Sequence, residues 1–232
     1  MINWDEFEHI HVIRKLREVI GKWFSIDVVF ADDRGNLKLL EKGKKYDFNN
    51  KVVSLLLQRD EGFDALSDFV RDTVTQLKTS QEKELKKDFL PHLHTSSFPI
   101  MIDNEFMGGV ICVGYLPEGA TDLQRKELAK ALAHYNLSSQ DIDYAVSKVR
   151  AIEKEQEPYF NELSDLVSKE ISTLHKEISM RDDRIQELNK ELGIRYKYDN
   201  MIGKSKPMQD VYSLLEKIKN SESTCLIQGE NG

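Results

Sequence analysis

The sequence predicts an α+β fold, an open antiparallel sheet carrying helices, followed by a long coiled-coil helix. Two observations predict it. Up to about residue 140, short β-branched runs closed by Asp, Asn and Gly turns alternate with apolar stripes at helical spacing. From 141 to 192 there is one proline, no glycine and a sustained heptad pattern. The organisation read from this is an α+β domain over 1–152, a coiled-coil dimerisation linker over 153–193, and the opening of a further domain over 194–232.

The elements follow in order. Between Asp5 and Trp23, Phe7, Ile10, Val12, Ile13, Leu16, Val19 and Ile20 make a helical stripe. Ser25 to Ala31 is a β-branched strand. Asp32-Asp33-Arg34-Gly35-Asn36 turns the chain into a partner strand, Leu37 to Leu40. Asn50 to Leu57 and Phe63 to Leu77 read as helices, and Glu82 to Leu90 as a third. Phe98 to Ile102 and Phe106 to Leu116 form a second hairpin around Asp103-Asn104-Glu105. Asp122 to Tyr135 and Gln140 to Ile152 are amphipathic helices.

Pro158 marks the start of the long helix, where a missing N–H costs little. From Phe160 a heptad register places Phe160, Val167, Leu174, Arg181 and Leu188 at d, and Ser164, Ile171, Ile178, Ile185 and Leu192 at a. β-Branched a positions with leucine at d favour a parallel dimer, so Val167, Ile171, Leu174, Ile178, Ile185, Leu188 and Leu192 are the expected dimer seam. Ser164 and Arg181 interrupt it. Residues 150–192 carry 7 Lys and Arg against 11 Asp and Glu, a solvated surface around a narrow seam. Gly193 is placed to end the helix.

Composition removes several classes of function. The 232 residues have a net charge of −7, which speaks against a broad nucleic-acid groove within them. No apolar run approaches the 18 or so residues of a membrane span, and the acidic start lacks the core of a secretory signal. Cys112 and Cys225 lie far apart in apolar runs, which predicts a reducing, cytoplasmic setting and no disulfide framework. No nucleophile with a paired base and no dense acidic cluster appears, so no catalytic residue and no metal site is assigned.

The end of the chain carries the most specific signal. Thr224 to Gln228 reads as a buried strand running into Gly229-Glu230-Asn231-Gly232, the first half of a Gly-x-x-x-x-Gly-Lys-Ser/Thr phosphate loop. Upstream, Met201-Ile-Gly-Lys-Ser-Lys-Pro-Met-Gln-Asp-Val-Tyr212 precedes a helix to about Asn220. In order, spacing and residue type this segment resembles the opening of the AAA+ domain of NtrC-type, sigma-54-dependent transcriptional activators. Asn231 stands where that family usually has Ser. The resemblance covers about 32 residues. It implies that Ile202 and Gly203 lie on the adenine side of a nucleotide site and that Gly229, Glu230, Asn231 and Gly232 begin its phosphate loop. It implies ATP and Mg²⁺ as cofactors of a full-length protein, and sigma-54 RNA polymerase and enhancer DNA as its partners. The loop Lys and hydroxyl residue are not among the 232, so the chain reads as an N-terminal regulatory fragment without ATPase activity of its own.

Two strands, a helical insert, a hairpin and a closing helix resemble PAS- or GAF-like sensory domains. Phe98-Pro-Ile-Met-Ile-Asp-Asn-Glu-Phe-Met-Gly-Gly-Val-Ile-Cys-Val-Gly114 resembles the sheet hairpin of PocR-type domains, with Gly108, Gly109 and Gly114 near that family's glycine spacing. The cysteines often found near the helical insert of that family are absent here. Glycines in a strand suit close approach by a ligand or by another backbone. Ligand-binding candidates are His92, His94, Met101, Cys112 and Tyr115. A His-x-His pair on a strand points both imidazoles to one face, which suits two metal ligands, hydrogen bonding to a loop or substrate, or plain surface histidines. Met101, Tyr115 and Cys112 read first as core and second as lining of an apolar cavity. The function read from all this is a signal-sensing region, taking a small-molecule or protein signal and controlling a downstream ATPase as a homodimer. The alternative is a ligand-free dimerisation or docking module acting by contact.

Overall fold

The computed structural model describes residues 4, 11–46, 48–80, 82–195, 205–218 and 226. In chain order the elements are α1 (His11–Phe24), β1 (Asp27–Asp32), β2 (Leu37–Lys38), α2 (Lys51–Leu56), α3 (Asp60–Ser80), β3 (Leu85–Leu90), β4 (Leu93–Ile102), β5 (Glu105–Tyr115), α4 (Asp122–Leu132), α5 (Ser139–Lys148), α6 (Glu157–Arg195) and α7 (Lys206–Ile218). The five strands form one antiparallel sheet in the order β2-β1-β5-β4-β3. The expected α+β architecture with an open antiparallel sheet and a long C-terminal helix is therefore present.

The chain divides into two compact units, Met1–Lys176 and Glu177–Gly232. In the first, alternate residues of β1, β4 and β5 face opposite sides. Val28, Phe30, Phe98, Ile100, Val110 and Cys112 meet α1 and the first turns of α6 on one face. On the other face Val29, Ala31, Ile111 and Val113 meet Leu66, Val70 and Val74 of α3. A third cluster packs α2, α4 and α5 around Leu116, Leu128 and Ile142 beyond the end of β5. In the second unit, α7 is an amphipathic helix with Tyr212 buried and Val211 and Leu214 exposed.

Asp27 and Asn50 form a polar node inside this apolar frame. Both side chains are buried. The Asp27 carboxylate accepts the backbone N–H of Asn49 at 2.8 Å and of Asn50 at 2.9 Å. Asn50 Oδ1 in turn accepts the N–H groups of Val52 and Val53 at 2.9 and 3.1 Å, capping α2. Its Nδ2 donates to the carbonyl of Gly114 on β5. Gly114 has φ +107, and a Cβ there would lie 2.5 Å from Asn50 Nδ2. At Gly108 (φ +145) a Cβ would meet the Ala31 carbonyl oxygen at 2.1 Å. The close approach these strand glycines permit is thus by a side chain and a neighbouring backbone. Burial pushes the Asp27 carboxyl up, against the lowering effect of the N–H groups it holds.

Three sequence expectations differ from the fold. Glu82 to Leu90 is not a helix: Leu85–Leu90 is strand β3, whose residues alternate between faces and pair with β4 from Leu85↔Ser97 to Leu90↔Leu93. β4 begins at Leu93 rather than Phe98 because β3 supplies its partner. α6 continues through Gly193 to Arg195. Asp103 and Asn104, at φ +50 and +67, make the tight turn expected between β4 and β5.

Asp27→Ala leaves the buried N–H of Asn50 unpaired and removes the acceptor of the Asn49 N–H, a loss of about 1–3 kcal/mol, read as a lower midpoint in urea at pH 7. At the β1–β2 turn, partial burial pushes the Asp32 carboxyl up, but Lys38, Asn36 and Arg34 outweigh it and hold it at about 2. A lowered carboxyl stabilises the fold above its ordinary value of 3.8 and loses that contribution as pH falls toward 2. The melting-temperature difference between the native chain and Asp32→Ala should therefore shrink from pH 5 to pH 2; a constant difference would contradict this.

Candidate sensory site

The sequence candidates converge in part. Tyr115, at the end of β5, places its hydroxyl 2.7 Å from Ser96 Oγ on β4, and its ring 5.5 Å from the Phe160 ring in an edge contact. Phe160 also meets Phe24 of α1 at 5.4 Å. The His94 ring stands 5.7 Å from Tyr115, and its Nδ1 pairs with Asp88 across β3–β4. Cys112 lies beneath α6, its Sγ donating to Ser164 Oγ at 3.3 Å, while Ser164 donates to the Phe160 carbonyl at 2.8 Å. One turn later Ser168 Oγ donates to the Pro99 carbonyl of β4. His94, Tyr115 and Cys112 thus belong to the layer where the sheet meets the first turns of α6.

His92 and Met101 do not join them. His92 lies in the β3–β4 turn at φ +65, before β4 begins, and its Nε2 reaches Glu127 of α4 at 2.5 Å. The two imidazoles therefore do not share a strand face, and each has its own carboxylate. Met101 points outward, 42 % exposed. No group of three or more potential metal ligands occurs among the described residues. Burial pushes the Cys112 thiol up to about 12 and raises the Tyr115 phenol as well, so neither ionises near neutral pH. Such a thiol is a packing group with little nucleophilic character.

A surface groove of about 580 Å³ opens beside this layer, lined by Lys86, His94, Tyr115, Ile152, Lys154 and Glu157 among others. Lys86 on β3 pairs with Glu157 at the first turn of α6. Asn161 Nδ2 donates to Glu84 Oε2 at 3.0 Å. Glu84 Oε1 and Asn161 Oδ1 are buried without a hydrogen bond, although Lys86 Nζ lies 3.6 Å from Glu84 Oε1. The polar contacts of the first turn of α6 are thus made to an edge strand of the sheet.

The seam residues divide. Phe160, Val167 and Ile171 are buried in the chain's own core, and Leu174 packs partly against it. Ile178 is half-buried, whereas Ile185 and Leu188 are exposed. The side chain of Leu192 lies outside the described residues, as do Ile202, Gly203, Gly229, Glu230, Asn231 and Gly232. Val167 and Ile171 satisfy a heptad pattern, but what they pack on is the sheet, since a period near 3.5 also describes a helix burying one face. Sequence reasoning did not single out Ser96, Asn161 or Ser168, and it read Ser164 only as an interruption of the seam. Ser164 and Ser168, four apart and small in an apolar face, were the available signal for close contact with a sheet.

The first turns of α6 thus sit on the sheet through a mixed apolar and hydroxyl contact. No family model matches the chain. Over 38 residues the chain is 53 % identical to nitrogen fixation protein AnfA of Azotobacter vinelandii, covering 16 % of this chain and 7 % of that protein. Over 45 residues it is 49 % identical to nitrogen fixation protein VnfA of the same organism, covering 19 % and 9 %. Over 63 residues it is 36 % identical to the Nif-specific regulatory protein of Herbaspirillum seropedicae, covering 25 % and 12 %. The chain therefore spans only a small part of the length of the relatives it matches. No described helix is long and apolar enough to cross a membrane.

Ser164→Leu and Ser168→Leu each force extra carbons between α6 and the sheet, at a cost of about 1–3 kcal/mol. Ser164→Ala keeps the volume and should cost less than about 1 kcal/mol. Equal urea midpoints for Ser164→Leu and the native chain would show that the helix does not sit closely there.

Proposed function

We propose that this chain is the signal-receiving regulatory region of a bacterial sigma-54-dependent transcription activator, and that it acts on a downstream AAA+ ATPase through α6 as a paired connector. The observation that carries the reading is the double character of α6. Over its first turns it is core, with Phe160, Val167 and Ile171 fully buried, each worth on the order of 1.5–3 kcal/mol. The same helix runs on to Arg195 with Ile185 and Leu188 exposed at heptad spacing. A helix anchored in one domain and apolar beyond it suits the passage of a change in the sheet to a partner helix.

Two further lines support it. Met201 to Gly232 follows the order and spacing of an NtrC-type AAA+ opening. The stretches similar to AnfA, VnfA and the Nif-specific regulatory protein belong to nitrogen fixation and its regulation by name. On this reading the longer protein binds ATP and Mg²⁺ and engages sigma-54 RNA polymerase and enhancer DNA in the cytoplasm. Ile202, Gly203 and Gly229 to Gly232 begin its nucleotide site. The 232 residues alone, lacking the loop Lys, hydrolyse no ATP.

A second reading concerns the input. Both faces of the sheet are filled by side chains from α1, α3 and α6, and the groove described above opens on the surface. This favours a unit that receives its signal by contact with another macromolecule over one that encloses a small molecule.

The connector is tested with Ile185→Lys combined with Leu188→Lys in the 232-residue chain. Both side chains are exposed, so the melt of the sensory unit should stay unchanged. The dimer dissociation constant by sedimentation equilibrium should rise at least about tenfold. An unchanged constant would remove the paired-connector reading. ATP turnover above buffer background in a clean preparation would contradict the absence of hydrolysis.

A further inference from the structure

We propose that the outward surface shared by α1 and the first turns of α6 is a docking face for a second copy of this chain. The proposal extends the regulatory reading above and rests on it only in taking the partner to be a second copy; its residues all lie within Met1–Lys176, and Ile185 and Leu188 enter only through the background used to test it.

The first observation is apolar exposure. Of the seven large hydrophobic residues exposed in that unit among those described, four lie on these two helices: Val12 (45 %), Trp23 (65 %), Tyr159 (66 %) and Leu166 (43 %). They are not scattered. Val12 and Trp23, with half-buried Val19 between them, recur at i, i+7 and i+11, one stripe of α1 separate from the buried Ile13, Ile20 and Phe24. Tyr159 and Leu166 stand seven apart on α6 and are separate from the buried Phe160, Val167 and Ile171. The two stripes adjoin, since Trp23 and Tyr159 line one cleft of about 450 Å³ with Lys22, Phe24, Arg150 and Gln156. Each helix therefore has two apolar faces, and the sheet covers only one of them. Exposed tryptophan and tyrosine together are the residues that most often carry binding energy at an interface.

The second observation selects the occupant. Over His11–Phe24, α1 carries four Lys and Arg against one acidic residue, Glu18. From Glu157 to Lys176, α6 carries four carboxylates, Glu157, Glu162, Asp165 and Glu170, against two lysines. Part of this charge is met within the chain, Lys15 and Lys22 by Glu18, Glu157 by Lys86 and Asp165 by Lys169, but α1 keeps a net positive and α6 a net negative charge beside two adjoining apolar stripes. Such a surface is complementary to itself under a two-fold rotation that lays α1 of one copy against α6 of the other, the isologous arrangement of most homodimers. A foreign partner would need the same divided charge, whereas a second copy supplies it. Phe24, which lines the cleft, packs on the buried Phe160, and Phe160 meets the Tyr115 ring, so that pairing and the packing of α6 are physically connected.

The test uses the 232-residue chain carrying Ile185→Lys and Leu188→Lys, so that the downstream seam does not contribute. Sedimentation equilibrium should still show dimers, and raising the salt from 0.05 to about 0.5 M should weaken them, as screening of complementary charges requires. Adding Trp23→Glu with Leu166→Glu should raise the dissociation constant at least about tenfold. The circular-dichroism melt should not move, because both side chains are exposed. Trp23→Ala with Leu166→Ala, which introduces no charge, should weaken it in the same direction by less. A constant unaffected by either pair, or a chain already monomeric once the seam is broken, overturns the proposal; the latter result would leave the face to a different protein. If the seam substitutions change nothing while the Trp23 and Leu166 substitutions do, the connector reading fails and this face stands.

Discussion

The rest of the unit Met1–Lys176 depends on how closely α6 lies on the sheet. The contact face of that helix alternates bulk with near absence of bulk. Phe160, Val167 and Ile171 fill the space over β4 and β5, and Ser164 and Ser168 let the backbones draw together. Phe160 is the centre of the arrangement, touching the aromatic rings of both Phe24 and Tyr115. Moving α6 outward would uncover α1 and the end of β5 together. Packed interiors respond to such a change by shifting between discrete arrangements, because they have little room to deform smoothly.

Against that apolar contact stands the polar node at Asp27 and Asn50. Two buried polar side chains cost desolvation, and they are tolerated because their main acceptors and donors are engaged. The node joins β1, β5 and the start of α2 without a large side chain. It fixes the helical insert to the sheet where β1 begins and β5 ends. The unit is held by two different kinds of force, one non-directional and one strictly geometric.

Much of this was legible. The α1 stripe, the β1 run, the Asp103-Asn104 turn and the β4–β5 hairpin follow from periodicity and turn chemistry. β3 was missed because Glu82-Lys-Glu-Leu-Lys-Lys-Asp has the composition of a solvated helix. The strand is an edge strand, and its charges suit that position by discouraging further pairing. The heptad register located a real apolar stripe on α6 but not what covers it, since the same spacing serves a sheet and a partner helix. Ser164, which reads as a flaw in a dimer seam, is the residue that separates the two. At the candidate site, Tyr115, His94 and Cys112 were placed in one layer by their strands. Ser96, Asn161 and Ser168 carry no motif, and only the fold brings them there.

Cys112 gives this interior a built-in clock. Its thiol is fully covered by α6 and held protonated by burial. Reagents in solution meet it only in those intervals when the helix has lifted away. The waiting time for its modification therefore measures the spontaneous opening of the very contact through which a signal would pass.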